Sequence, residues 1–286
     1  MRVVLSEFIT GRNLVKIIES TPITFQKAKL QMQAPESQTK TKLLLCQVIP
    51  TYNEVENIPI LVERIENLRA NLSFDLMIVV VDDNSSDGTA EKVKELMGRF
   101  DNIKLIQRPG LMGLGSAYMD GFAYSISNLN ADYVGEMDAD LQHPPELLRE
   151  MVAKASEGVD VVVASRYIPG GGSTDWSFSR RLVSRGANLL TKIFLRVPVK
   201  DATSGFRLIS HRAIDGLFGY QLSSKGYSFQ VESLYAYKKS KMTFAEVPYM
   251  FETRKAGETK LKTKEIWRFF WTTVKVGILG LKKKEA

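Results

Sequence analysis

Four polar loops, each directly after a short apolar run, carry the residues best suited to chemistry. They are residues 50–54, 82–88, 138–144 and 165–167. Asp and Asn are common turn formers, so any one of these loops would carry little weight alone. Together they predict a polar, mostly acidic rim that binds a charged ligand.

In the third loop, residues 138–144 (called the acidic loop below), Asp138 and Asp140 flank a small residue, and Gln142 adds an amide oxygen. Oxygen ligands of this type suit Mg²⁺ or Mn²⁺ better than zinc or copper. A cation held in this way usually bridges protein carboxylates and a substrate phosphate. The loop therefore predicts a divalent-cation site. The alternative is an acidic turn that caps a helix beginning at Pro144.

The elements that must position these loops are visible in the alternation of apolar runs with amphipathic stretches. The short, largely uninterrupted runs are residues 43–49, 76–81, 103–106, 133–137 and 159–164. Runs of this kind are typical of strands buried on both faces, and the alternation predicts βαβ units and a mostly parallel sheet. Ligands of such sheets bind outside the carboxyl ends of the strands, where the four loops lie.

Composition and charge exclude several classes of protein. A single cysteine, Cys46, rules out an intramolecular disulfide and a multi-thiolate metal site, and indicates a reduced, intracellular chain. Neither a P-loop motif nor a G-x-G-x-x-G motif follows the first strand, which disfavours P-loop NTPases and dinucleotide enzymes. The net charge is +7, and the basic excess lies entirely in residues 238–286. This concentration favours a local anionic contact over nucleic-acid binding.

The motifs carry a specific resemblance. The first three loops, together with residues 164–167, 184–188 and 201–207, resemble in order and spacing the motifs of family 2 glycosyltransferases, and within them the dolichol-phosphate (polyprenol-phosphate) mannosyltransferases. The resemblance runs from about residue 42 to about residue 264. It implies an α/β fold of the GT-A type, a Rossmann-like, mostly parallel sheet flanked by helices.

The resemblance also implies roles for the side chains that match the motifs. Residues implied in donor binding are Pro50, Tyr52, Glu54, Val81, Asp83, Asp138, Ala139, Asp140, Gln142, Arg166, Arg254 and Lys260. Those implied in binding the acceptor phosphate are Arg166, Arg180 and Ser184. Asp140 and Arg166 are the implied catalytic residues, and the implied ligands of Mg²⁺ or Mn²⁺ are Asp138, Asp140 and Gln142.

The implied reaction transfers mannose from GDP-mannose to a dolichyl or polyprenyl phosphate with inversion, and it needs few protein groups. The acceptor oxygen is already anionic near neutral pH, because the second pKa of a phosphate is about 6. Bringing this anion to an anionic donor requires cations. The metal would neutralise the GDP leaving group, while Arg166, Arg180 and Lys260 would screen and orient the acceptor phosphate.

Because the implied acceptor is a lipid, the chain must also meet a membrane. An apolar stripe between Ile266 and Leu281 recurs every three or four residues, with Arg268 and Lys275 on another face. The pattern predicts an amphipathic C-terminal helix that lies peripherally on the cytoplasmic face of a membrane. The alternative is a helix that packs on the sheet. A small membrane-anchoring subunit is a further candidate partner.

The predicted organisation has three parts. Residues 1–42 form a poorly ordered N-terminal extension, residues 43–264 the GT-A domain, and residues 265–286 the basic membrane-interface helix and tail. No apolar run reaches the roughly 18 residues of a membrane-spanning helix, and no signal peptide is expected.

Two other functions stay open from the sequence. One is a polyprenyl-phosphate glucosyltransferase, or a related family 2 enzyme, that uses a UDP-sugar. The other is a non-catalytic subunit that binds a nucleotide sugar at the membrane. A panel of nucleotide-sugar donors separates the first from the mannosyltransferase, and turnover by purified protein separates the second.

Overall fold

The computed structural model describes residues 42–174, 176–224, 226–251 and 263–284. The predicted N-terminal extension lies outside these ranges, apart from its last residue. Arg254 and Lys260, both predicted to contact the donor, also lie outside the described residues. Their predicted roles therefore stay predictions.

Within the described residues the chain forms nine strands and eight α-helices. The strands are β1 (Leu44–Thr51), β2 (Asp75–Asp82), β3 (Ile103–Gln107), β4 (Tyr133–Glu136), β5 (Val161–Ser165), β6 (Gly172–Ser173), β7 (Arg207–Ser210), β8 (Phe244–Pro248) and β9 (Met250–Phe251). The helices are α1 (Asn57–Arg69), α2 (Thr89–Arg99), α3 (Leu114–Ser127), α4 (Leu148–Ser156), α5 (Phe178–Leu195), α6 (His211–Phe218), α7 (Phe229–Lys239) and α8 (Thr263–Leu279). A short 3₁₀ helix, Pro145–Leu147, precedes α4.

Seven of the strands form one sheet in the order β3-β2-β1-β4-β7-β5-β8. All neighbouring strands in it run parallel except β7, which is antiparallel to both β4 and β5. The strands β6 and β9 pair in parallel as a separate two-stranded sheet. The prediction of a mostly parallel sheet is confirmed, and the five apolar runs correspond to β1–β5 to within two residues at each end.

Strand β7 was not predicted, because its short sequence lacks the uninterrupted apolar run that is typical of a buried strand. It has four residues and begins with Arg207, whose side chain is fully buried. The guanidinium lies 3.9 Å from the Glu136 carboxylate and donates to the carbonyl oxygens of Gln230 (3.0 Å) and Ala202 (3.1 Å). Glu136 and Gln230 come from distant parts of the chain, so no local pattern indicates that a charge can be buried here.

Two hydrophobic cores cover the two faces of the sheet. The first core packs α1, α2 and α4 against one face, and the second packs α3, α5, α6, α7 and one side of α8 against the other. The inner parallel strands β1, β2 and β5 are buried on both sides, as their continuous apolar sequences require. The edge strands β3 and β8 are only partly buried. All the loops at the carboxyl ends of β1, β2, β4 and β5 consequently open at the same edge of the sheet.

The structure divides the apolar stripe of α8 into two faces. Thr273 and Val276 are buried, and Gly277 lies so close to Phe194 of α5 that an added Cβ would sit 2.8 Å from the Phe194 Cβ. Trp271 and Ile278, by contrast, are 63% and 69% exposed. The helix therefore packs on the body and also presents apolar side chains outward.

The tail after α8 returns to the body of the protein. The Lys282 carbonyl accepts a hydrogen bond from the Gln221 N–H (2.8 Å), and the Lys284 N–H donates to the Gly219 carbonyl (2.9 Å). The tail backbone is thus fixed, while its lysine side chains are exposed. Among the described residues, no helix is both long enough and apolar enough to cross a membrane.

Candidate active site

The loops after β1 and β2 are joined by hydrogen bonds across the rim of the sheet. The Thr51 hydroxyl donates to Asp82 (2.8 Å), and the Glu54 N–H donates to the Thr89 hydroxyl (2.9 Å). Of the predicted donor residues, Pro50 lies near the end of β1, and Tyr52 and Glu54 lie on the loop that follows. Tyr52 is 41% exposed, and an exposed aromatic ring on this rim is able to stack on a base.

Asp83, on the second loop, is committed to contacts within the protein. Its carboxylate pairs with the buried guanidinium of Arg108 and accepts the backbone N–H groups of Met112 (3.2 Å) and Gly113 (2.9 Å). Asp83 therefore fixes the start of α3 as well as lining the rim. The side chain of Val81 is fully buried in the second core, and its backbone lies between the paired strands β1 and β3, so its donor contact stays a prediction.

The acidic loop follows β4, and its two carboxylates are held by different groups. The Tyr118 hydroxyl donates to Asp138 Oδ1 (3.1 Å), and the Asp138 N–H donates to Nδ1 of His143 (3.0 Å). Asp140 Oδ1 accepts the Gln142 N–H (3.1 Å). Burial, with the nearby carboxylates of Asp138 and Glu136, raises the pKa of Tyr118 well above its ordinary value, so its hydroxyl keeps its proton.

Three further residues shape this loop. Leu141 has a positive φ of 65°, an uncommon conformation for leucine that turns the backbone between Asp140 and Gln142. Ala139, predicted to contact the donor, is 3% exposed and packs in the first core. His143 is also buried and stacks on Phe206, with ring centroids 5.1 Å apart. Its neighbours make His143 a structural part of the loop.

The acidic loop opens into a cavity of about 330 Å³ at the edge of the sheet. Six of the predicted site residues line it: Asp138, Asp140, Gln142, Arg166, Arg180 and Ser184. The structure therefore brings together the predicted metal ligands and the predicted acceptor-phosphate residues. The predicted donor residues on the first two loops do not line this cavity.

Arg166 is held in the cavity wall by a bidentate ion pair. Its Nε and one terminal nitrogen each donate to a carboxylate oxygen of Asp201, both at 2.7 Å, and the same terminal nitrogen also donates to Thr203 (2.8 Å). Burial alone would raise the pKa of the Asp201 carboxyl, but the adjacent Arg166 guanidinium and its hydrogen bonds hold that pKa below the ordinary value. Arg166 is therefore a cation in a fixed place.

A second cation lies beside it on a shared aromatic ring. The guanidinium carbons of Arg166 and Arg180 lie 4.9 and 4.6 Å from the Trp176 ring centroid, and Phe251 contacts both at somewhat longer range. An aromatic face stabilises each cation but does not neutralise it. The wall therefore presents two guanidinium groups to a phosphate, of which Arg166 is already paired with Asp201.

Ser184 lies one turn of α5 beyond Arg180 and accepts a hydrogen bond from the Tyr167 hydroxyl (2.7 Å). The apolar residues Val183 and Ala187, also on α5, line the same cavity as Ile266 and Phe269 of α8. The cavity wall thus contains carboxylates, guanidinium groups and apolar side chains. Trp176, Asp201 and Thr203 were not predicted as site residues. Trp176 lies four residues before Arg180, but that spacing alone does not indicate a functional aromatic residue.

The acidic loop fits a divalent cation that the protein holds only in part. Among the described residues, no group of three or more His, Cys, Asp or Glu side chains could hold a metal alone. Two carboxylates and an amide oxygen in an open cavity suit a cation that takes its remaining ligands from water and a substrate diphosphate. This is the coordination that Mg²⁺ and Mn²⁺ prefer.

A mostly parallel sheet whose strand ends open into an acidic and cationic cavity fits the GT-A fold that the motifs imply. The sequence agrees: the model of glycosyl transferase family 2 matches residues 46–218, and the chain belongs to that family. The resemblance inferred from the motifs is confirmed.

Two curated relatives and one solved structure place the chain further. It is 39% identical to a dolichol-phosphate mannosyltransferase of Pyrococcus furiosus over 78% of its own length, and it spans 60% of that relative. It is 33% identical to a polyprenol monophosphomannose synthase of Mycolicibacterium smegmatis, over 82% of this chain and 86% of the relative. The fold is similar to glucosyl-3-phosphoglycerate synthase from Mycobacterium tuberculosis in complex with Mn²⁺, UDP and glucosyl-3-phosphoglycerate, with a TM-score of 0.59, 17% identity and coverage of 82% and 80% of the two chains.

Proposed function

We propose that the protein transfers mannose from GDP-mannose to a dolichyl or polyprenyl monophosphate, with inversion, giving the lipid phosphate mannose and GDP. The observation that carries this proposal is the cavity wall, which combines two carboxylates, two guanidinium groups and an apolar patch. The carboxylates suit a metal-bound diphosphate, the guanidinium groups suit an acceptor phosphate, and the apolar patch suits a lipid chain. The names of the two curated relatives support the same reaction.

In the proposed reaction a phosphate oxygen of the acceptor attacks the anomeric carbon of mannose. The new bond forms as the bond from that carbon to GDP breaks, and the bonding electrons leave with GDP. No proton has to be removed, because the acceptor phosphate is a dianion above its second pKa of about 6. The protein's task is therefore positioning and electrostatic stabilisation.

We assign the acceptor phosphate to Arg180 and Ser184, beside Arg166. Arg180 is held on Trp176, and Ser184 is one helical turn away. Arg166 is fixed by its counter-charge Asp201, so its guanidinium stands at a constant position beside the acceptor phosphate. A guanidinium donates parallel hydrogen bonds that match phosphate geometry.

We assign a Mg²⁺ or Mn²⁺ ion to Asp138, Asp140 and Gln142. When bound, it would neutralise the charge that develops on the leaving diphosphate. Asp138 is oriented by Tyr118 and His143, and Asp140 is constrained by the turn at Leu141. The structure from Mycobacterium tuberculosis was solved with Mn²⁺ and UDP, which supports a divalent cation in this fold.

We assign the nucleoside to the loops after β1 and β2. These loops lie at the carboxyl ends of neighbouring parallel strands, and Tyr52 is the exposed aromatic side chain on them. We also assign Arg254 and Lys260 to the donor, as the motifs imply.

The apolar surface outside the cavity supports a peripheral membrane location, which we place on the cytoplasmic face. On α5, Phe178 and Leu182 are 82% and 62% exposed, and on α8 Trp271 and Ile278 are similarly exposed. Exposed basic side chains flank them, among them Arg181, Arg185, Lys192, Lys275 and Lys282. An apolar face with basic flanks suits the surface of an anionic bilayer. A small membrane-anchoring subunit is a further candidate partner for this surface.

A donor panel tests the proposal. Purified protein with a polyprenyl phosphate should use GDP-mannose at least tenfold better than UDP-glucose or UDP-GlcNAc. Preference for a UDP-sugar would replace the mannosyltransferase with the glucosyltransferase. Tight donor binding without turnover would indicate a non-catalytic subunit.

The metal assignment has its own test. Asp140→Asn should reduce transfer about 100- to 1000-fold while leaving the thermal midpoint nearly unchanged, because the side chain faces the cavity. Chelation with EDTA should abolish wild-type activity, and Mn²⁺ or Mg²⁺ should restore it. Full activity in EDTA would contradict the assignment.

A further inference from the structure

We propose that Tyr118 is a positioning residue that orients the Asp138 carboxylate for the divalent cation. The inference rests on the cation site of the proposed function and adds a residue outside every motif of the sequence. Tyr118 lies on α3, twenty residues before Asp138, and its hydroxyl donates to Asp138 Oδ1 (3.1 Å). It does not line the cavity itself, so it acts on the cation through Asp138.

The position of the Tyr118 hydroxyl is fixed by packing. The side chain is fully buried, and its ring stacks on Phe229 of α7, with centroids 5.9 Å apart and planes 14° from parallel. Phe122, one turn further along α3, lies 5.9 Å from it. A ring enclosed in this way has one rotamer, so the hydroxyl points to one place.

The helix that carries Tyr118 is also fixed. At Gly121 an added Cβ would lie 2.4 Å from Val48 Cγ1, and at Gly115 it would lie 2.7 Å from the Ser224 carbonyl oxygen. Glycine at these two positions lets α3 approach β1 and the loop before α7 closely. At its first turn, α3 is bound to Asp83 through the Gly113 N–H.

Asp138 is consequently restrained at two points. His143 accepts the Asp138 backbone N–H, and Tyr118 donates to one carboxylate oxygen. The first contact fixes the backbone and the second fixes the rotation of the carboxylate. Hydrogen bonds that orient a metal-binding carboxylate typically contribute 10- to 100-fold in metal affinity or activity.

The test is Tyr118→Phe, which removes the hydroxyl and keeps the ring. Tyr237→Phe is the matched control. Tyr237 is equally buried, packs in the same core, and its hydroxyl has no hydrogen-bond partner in the described part of the chain. Both variants should keep the wild-type circular dichroism spectrum and unfold cooperatively.

Binding of Mn²⁺ in the presence of GDP is measured by electron paramagnetic resonance, which reports free Mn²⁺ without any turnover. Tyr118→Phe should raise the dissociation constant for Mn²⁺ about 10- to 100-fold, and Tyr237→Phe should change it less than about twofold. Saturating Mn²⁺ should return the kcat of Tyr118→Phe to within about threefold of wild type. A residue that only fills the core would change neither Mn²⁺ affinity nor the Mn²⁺ dependence of transfer.

Two results would overturn the inference alone: wild-type Mn²⁺ affinity in Tyr118→Phe, or an equal loss in Tyr237→Phe. A wild-type protein that binds no Mn²⁺ with GDP would overturn the proposed cation site and this inference together. The wild-type titration therefore distinguishes the two failures.

Discussion

If Arg180 binds the acceptor phosphate as proposed, its replacement should separate acceptor binding from donor binding. Arg180 lies on α5 beside the apolar part of the cavity, away from the loops after β1 and β2. Arg180→Ala should raise the KM for a short, water-soluble prenyl phosphate about 10- to 100-fold, the cost of losing charged hydrogen bonds. The dissociation constant for GDP-mannose, measured by calorimetry, should stay nearly unchanged.

Arg181→Ala is the control for that experiment. Arg181 is the next residue on α5 and is exposed outside the cavity. With a short acceptor it should show wild-type kinetics. If Arg180→Ala weakened GDP-mannose binding as much as acceptor use, the arginine would belong to the donor diphosphate.

Asp201 supports the site through a buried ion pair with Arg166, and its replacement should strongly lower the free energy of unfolding. Asp201→Asn leaves the Arg166 guanidinium buried without a counter-charge, which should lower the free energy of unfolding by about 3–5 kcal/mol at pH 7 in urea titrations. Asp101→Asn, which removes an ion pair whose carboxylate is 84% exposed, should cost less than about 1 kcal/mol.

The same pair predicts a pH dependence. Because the pKa of Asp201 is lower in the folded protein than in the unfolded chain, its contribution to stability is complete above the unfolded value of about 3.9. The contribution is lost as the pH falls through the lower, folded-state pKa. The difference in stability between wild type and Asp201→Asn should therefore shrink in acid, and a constant difference from pH 7 to pH 2 would contradict this reasoning.

At this scale the sequence predicts the residues that lie in loops with a fixed spacing, such as Asp138, Asp140 and Arg166. Trp176 and Tyr118 escape prediction because their importance depends on which residue they touch. An aromatic residue in a helix is usually predicted to be a core residue, and Tyr118 does lie in the second core. Its contact with Asp138 exists only after α3 has packed on β4.

At the scale of elements, α3 packs so closely on the central strands that an added Cβ at Gly121 would lie 2.4 Å from Val48 Cγ1. Gly121→Ala should lower the free energy of unfolding by about 1–3 kcal/mol, because the added methyl overlaps Val48 and both Val48 and Gly121 are buried. Gly98→Ala, on the exposed side of α2 with no atom within 4 Å of the new Cβ, should stabilise by about 0.5–1 kcal/mol. Chemical denaturation measures both, and equal effects would contradict the packing argument.

The elements themselves were predictable where local sequence decides them. Strands β1–β5 are runs of apolar residues, and a run that must be buried on both faces has few alternatives. Strand β7 was not predictable, since Arg207 finds its partners on β4 and α7. The division of α8 into a packed and an exposed face likewise depends on α5, whose Phe194 meets Gly277.

At the scale of the whole molecule, the exposed apolar side chains of α5 and α8 predict a membrane-binding surface. The double variant Trp271→Ser, Ile278→Ser should reduce co-sedimentation with anionic liposomes and slow transfer to long-chain acceptors. Transfer to a short prenyl phosphate should be unchanged, because neither residue lines the cavity. Ile60→Ser, an exposed apolar residue on α1 on the other face of the sheet, is the control and should not alter liposome binding. If wild type, the double variant and Ile60→Ser bound liposomes equally, the exposed side chains of α8 would not be part of a membrane-binding surface.

The strand order also has a consequence for how the chain is made. Strand β5, which is valine-rich, pairs only with β7 and β8, and both are synthesised later. About 40 residues separate the end of β5 from the start of β7, which is several seconds of translation at about 5–20 residues per second. Strands β2, β3 and β4, by contrast, each pair with a strand that has already been synthesised when they emerge from the ribosome. During those seconds the nascent chain holds one apolar strand with both edges unpaired, and this is the interval in which a chaperone has most to protect.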